Sequence, residues 1–112
     1  MEGIYTMYFT GHVGSGLGLL LLKNGVIAGA DAAGGIFDGS YTLEPGGTLN
    51  VNVRMTIPPG GTLVTGSSAG QNPMVVEMPA QLPENFANGQ AIALSTPTGP
   101  VNIIFKKLRN LP

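Results

Sequence analysis

The sequence predicts an all-β chain, an antiparallel barrel or half-barrel of about eight strands, and three observations carry that prediction. Gly and Pro, 18 and 9 of the 112 residues, are spread so evenly that no stretch is free for a helix of three turns. Asn24-Gly25 stands between two apolar runs, and because both residue types accept positive φ at low cost, this dipeptide is a strong signal for a two-residue hairpin. Residues Thr48–Ile57 alternate cleanly: Leu49, Val51, Val53 and Met55 share one face, and Asn50, Asn52, Arg54 and Thr56 share the other.

In chain order, Gly3–Thr10 is rich in β-branched and aromatic residues and reads as the first strand, with a turn over residues 12–16. Residues 16–22 and 26–30 are the arms of the Asn24-Gly25 hairpin. Residues 19–22 are all leucine, so this strand is apolar on both faces and calls for cover on both, a barrel interior on one side and a subunit or loop on the other. Residues 36–43 form the next strand, ended by Glu44-Pro45-Gly46-Gly47 as a turn. Pro58-Pro59-Gly60-Gly61 ends the alternating strand. Beyond it, residues 62–65, 74–78, 91–96 and 101–108 read as strands, and residues 67–72 and 83–89 as loops. Residues 79–87 have room for a single helical turn, and their two prolines argue against more. No repeat or linker interrupts the chain, so residues 1–112 are read as one β-barrel-like domain.

Composition narrows the function. Charged residues are 10% of the chain, against about 25% in an average soluble domain. A surface so poor in charge points to an oligomer contact, and the expected state is a homodimer. Five basic residues and a net charge of −1 argue against nucleic acid, which needs a basic stripe. Lys106, Lys107 and Arg109 read as a solvated chain end. The absence of cysteine excludes thiolate metal sites and a disulfide scaffold. The longest apolar run, residues 17–22, is far below the roughly 20 residues of a spanning helix, and no basic leader opens the chain. The expectation is a soluble cytoplasmic protein whose mature form is the whole chain, with no membrane partner.

Catalytic chemistry is hard to find. Gly14-x-Gly16-x-Gly18 has phosphate-loop spacing but leads into a strand, so these glycines are read as permitting a bend or a close backbone approach. His12 is the only histidine; it cannot build a zinc site or a serine triad alone and reads as a surface turn residue. The six carboxylates show no metal-ligand or acid–base spacing. Asp31, ending an apolar strand among small residues, has two roles open to it: bonding nearby backbone N–H groups in a turn, or orienting a ligand or partner at a barrel rim. Tyr5, Tyr8 and Tyr41 are further rim candidates, each with an apolar body and one hydroxyl; ordinary strand packing is their other role. Met7, Met55, Met74 and Met78 fill the core or make a soft cavity. No catalytic residue, metal ligand or cofactor is assigned.

Gly3-Ile4-Tyr5, then Phe9, then Gly14-Ser15-Gly16-Leu17-Gly18 leading to LLLLKNGVIAGAD and Gly39-Ser40-Tyr41, together with the ending Phe105-Lys106-Lys107-Leu108, resemble the GrlR-like family. The resemblance covers residues 3–54 and the final strand. It implies a compact lipocalin-like fold, a dimer, an apolar cavity and a regulatory role through protein contacts, the named member being a negative regulator of bacterial type III secretion. The acidic run that holds that regulator's partner is replaced here by Leu43-Glu44-Pro45-Gly46-Gly47, so no partner-binding residue carries over. The segment from Asp31 to Gly39 is one residue longer than the family pattern. Two functions follow as expectations: a non-catalytic regulatory protein acting on a protein partner, and a carrier or sensor of a small apolar ligand.

Overall fold

Asn24 and Gly25 take φ of 51° and 78°, the pair of positive values that a type I′ turn requires. The hairpin they close is one of a continuous series. The computed structural model describes residues Met1–Pro112 as eight antiparallel strands without a helix: β1 (Gly3–Thr10), β2 (Ser15–Lys23), β3 (Val26–Asp31), β4 (Ile36–Glu44), β5 (Thr48–Ile57), β6 (Met74–Pro83), β7 (Asn88–Thr96) and β8 (Gly99–Arg109). They form one sheet in the order β6-β5-β4-β3-β2-β1-β8-β7. The sheet curls into a nearly closed barrel with one unsealed seam, between β6 and β7. No helix is long and apolar enough to cross a membrane.

The seam has a cause in the sequence. The N–H of Tyr41 bonds to the carbonyl of Gly25, so odd-numbered residues of β4 turn their backbone polar groups toward β3 and even-numbered ones toward β5. Carrying this parity through the β4–β5 and β5–β6 registers leaves the odd positions of β6 facing the seam. Pro79 and Pro83 are odd, so the seam edge lacks two of its donors, and β7 cannot zip onto it although only residues 84–87 separate the two strands.

Inside, Leu49, Val51, Met55 and Ile57 are buried and Val53 is half-buried, the face predicted from the alternation. Leu20 and Leu22 point in; Leu19 and Leu21 are 51% and 37% exposed outside. The predicted two-faced strand is therefore present, with its outer cover absent from the single chain.

The end carrying the β2–β3, β4–β5 and β6–β7 turns is filled. Phe86, from the β6–β7 turn, lies 5.3 Å from both Tyr5 and Phe105, ring centroid to centroid, tilted against the first and edge-on to the second. Leu22, Leu49 and Leu82 belong to the same core. At the opposite end residues 58–73 fold back as a flap. Its turns are tied by Ala69 N–H to Gly61 O (2.8 Å) and Leu63 N–H to Ser67 O (2.7 Å). Leu63 and Ala69 are buried beneath it. Val64 O accepts the N–H of Val13 at 2.9 Å, fastening the flap to the β1–β2 turn.

Two sequence expectations are corrected. Residues 62–65 are not a strand: only an isolated bridge, Thr62 to Ser68, forms there, because the two glycines at 60–61 and Gly66 turn the chain back on itself. Residues 79–87 hold no helical turn; β6 runs on through Pro83, its prolines tolerated on an edge.

Candidate ligand-binding cavity

The flap does not fill the barrel end that it covers. Between it and the core lies a cavity of about 370 Å³. Met7, Phe37, Met55 and Val76 line its walls, and Leu63 lines the flap side. At the seam it is bordered by Met78, Ala80 and Leu94. The space exists because two opposite edges of the sheet do not meet and because the wall positions near the flap are small.

The glycines of the Gly14-x-Gly16-x-Gly18 run explain one wall. Gly16 and Gly18 face Phe9 and Met7 directly across the β1–β2 ladder. A Cβ on Gly16 would strike the Phe9 ring, and one on Gly18 would come within 2.8 Å of both Met7 Cε and the Ala30 carbonyl. The large partner lies over each glycine, which is the close approach expected of this run. Gly14 differs: nothing surrounds its absent Cβ, and its carbonyl closes the turn by accepting the Gly11 N–H at 2.8 Å.

Asp31 sits at the flap end of β3 and is on the cavity lining. Its Oδ1 accepts the N–H of Ala33 (3.0 Å) and of Gly35 (2.8 Å). The side chain builds the β3–β4 turn, the first of its expected roles, and is the single charge on the cavity wall. None of the lining residues is Lys, Arg or His.

The tyrosines fall elsewhere. Tyr5 is buried in the filled end, donates its hydroxyl hydrogen to the Met1 carbonyl and packs on Phe86. Burial, reinforced by the neighbouring Tyr41, raises its hydroxyl pKa above the usual tyrosine value. Lys107 Nζ lies 5.9 Å from its ring centroid. Tyr41 is half-buried against the core and Tyr8 is 47% exposed on the outer surface. None of the three lines the cavity, because the rim nearest them is the filled end or the barrel exterior. Met7, Met55 and Met78 do line it; Met74 does not.

Asp31 apart, the polar groups of the cavity carry no motif in the sequence that singles them out. Thr62, Thr65, Thr96 and Thr98 come from the flap and the β7–β8 turn, segments whose composition is ordinary for turns. Thr65 Oγ1 is 3.0 Å from Thr98 Oγ1, which is 3.2 Å from Thr96 Oγ1, and Thr96 donates to the Gly99 carbonyl at 2.7 Å. The signal available in the sequence was the threonine density flanking Pro97.

His12 is exposed in the β1–β2 turn. No three His, Asp or Glu side chains converge as a metal ion would need. No family model matches the chain, and no match was found among curated proteins or solved structures.

Proposed function

We propose that this chain is a non-catalytic binding barrel, a lipocalin-like carrier or sensor that holds one small apolar ligand between barrel and flap. The observation that supports it is the cavity of about 370 Å³, walled by apolar side chains with a few polar groups at one end. That is the composition of small-molecule sites, whose volumes run from about 300 to 1,000 Å³. Transfer of an apolar ligand into the cavity gains about 25 cal/mol per Å² removed from water.

A different observation favours the dimer that the GrlR-like resemblance implies. Tyr8, Leu17, Leu19, Leu21, Val26 and Ile36 are exposed on the outside of β1–β4. On the outer face of β1 to β4 the charges are Lys23, at the hairpin tip, and Asp38 and Glu44 of β4. Four strands about 4.8 Å apart over seven or eight residues make a patch of roughly 350 Å², a size that in monomers often marks a contact site. A face with so little charge cannot select a charged partner, and it matches best an identical face. We therefore assign it to a second copy of this chain. The two readings are compatible, ligand inside and subunit outside, and both suit a protein of the bacterial cytoplasm.

Native mass spectrometry of protein purified from its own host tests the ligand reading. The expected result is a small-molecule adduct released on activation. A stoichiometric protein partner on a ligand-free barrel would overturn it in favour of regulation by protein contact.

A further inference from the structure

We infer that the ligand is uncharged and carries a hydrogen-bond donor, an alcohol being the simplest case, and that Thr65 receives that donor; this rests on the reading of the cavity as a ligand site.

The argument is a proton count along the threonine cluster. A hydroxyl has one hydrogen and two lone pairs. Thr96 spends its hydrogen on the Gly99 carbonyl, 2.7 Å away. Its oxygen also lies 3.2 Å from the Thr98 backbone N–H and 3.2 Å from Thr98 Oγ1, so in the second contact Thr98 must be the donor. With the Thr98 hydrogen used, the 3.0 Å contact between Thr65 and Thr98 has only Thr65 left to donate. The chain of donation runs Thr65 to Thr98 to Thr96 to Gly99 O, and every hydroxyl hydrogen is consumed. What remains is acceptor capacity: two lone pairs on Thr65 and one on Thr98, both on the cavity lining.

The threonine cluster therefore accepts and does not donate. A ligand bringing an O–H or N–H completes it. An ether or a hydrocarbon brings no hydrogen to those oxygens and forgoes that hydrogen bond. A carboxylate meets a worse environment: no free hydroxyl donor in the cluster, no Lys, Arg or His on the wall, and the Asp31 carboxylate as the one charge present. The cavity's 370 Å³ holds about a dozen chain CH2 groups at roughly 30 Å³ each, the volume of a water in the liquid. A ten-carbon alcohol is of that size.

Displacement of the neutral dye N-phenyl-1-naphthylamine reads the preference, helped by a chain that has no tryptophan background. Three competitors of nearly equal length are compared at pH 7: 1-decanol, 1-methoxynonane and decanoate, the last ionised. The expected order is decanol tightest, the ether about tenfold weaker, and decanoate weaker than both. In Thr65→Val combined with Thr98→Val, which removes every free acceptor of the cluster, the decanol advantage over the ether falls to within about twofold. Equal displacement by all three in the native chain, or tightest displacement by decanoate, overturns the inference and leaves the cavity reading standing. Failure of the dye and of every competitor to bind overturns both. The comparison in the native chain decides the matter even where the variant does not fold.

Discussion

Tyr5 is the residue whose environment makes the firmest quantitative demand. Its ring closes the filled end against Phe86, and its hydroxyl is held neutral by burial and by the nearby Tyr41. The unfolded chain ionises this hydroxyl at about pH 10, whereas the folded chain keeps its proton to higher pH. Between those two values the native state binds more protons, so stability falls as pH rises above about 10 and the contribution is intact below it. Tyr5→Phe loses the bond to the Met1 carbonyl, about 1 kcal/mol at neutral pH. Urea denaturation at a series of pH values should show the variant less stable at pH 7 and less steeply destabilised above pH 10. At this scale the sequence was only partly legible. The aromatic character of Tyr5, Tyr8 and Tyr41 was plain, but which end of a barrel each would occupy depends on strand register, and register is a property of pairs of strands. Asp31 was legible because an Asx turn is local: the acceptor and both donors lie within residues 31–35.

Among the elements, β2 to β5 were readable almost to the residue, since each is bounded by its own turn and β5 carries a clean alternation as well. The strands around the seam were not. β6 carries two prolines, and their tolerance follows from the edge position that only the assembled sheet defines. The flap misled for a related reason: residues 62–65 have strand composition but no neighbour to pair with. The seam makes a prediction about β7. The Gly11–Gly14 bond sets the parity of β1, and through the β1–β8 and β7–β8 registers the N–H groups of Ala91, Ala93 and Ser95 face the gap. Amide hydrogen exchange should be fast at these three positions and slow at Ile92 and Leu94, alternating along one strand. Uniform protection along β7 would mean that the seam is sealed.

For the whole molecule, the distribution of charge matters more than its amount. The cavity wall carries only Asp31, and the outer face of β1 to β3 only Lys23, so the other charges are left to the chain start, β4, β8, the β6–β7 turn and the Arg54–Glu77 pair, whose atoms lie 2.9 Å apart on the exposed sides of β5 and β6. A pair so exposed contributes little to stability. The bare outer face predicts assembly: light scattering at micromolar concentration should give about twice the chain mass of 11.5 kDa. Leu19→Lys with Leu21→Lys should give the single-chain mass with the β-sheet circular dichroism unchanged, since both side chains point outward. A native chain that runs as a monomer would remove the second copy from the account.

The central claim is that an apolar ligand enters the space beneath the flap, and the methionines report on it directly. Met7, Met55 and Met78 line the cavity, while Met1 and Met74 do not. Carbon-13 labelling of the methionine methyl groups gives five signals, and titration with N-phenyl-1-naphthylamine should move those of Met7, Met55 and Met78 together, saturating at one dye per chain, with Met1 and Met74 still. Five unmoved signals, or movement of Met1 or Met74 without the cavity three, would contradict it.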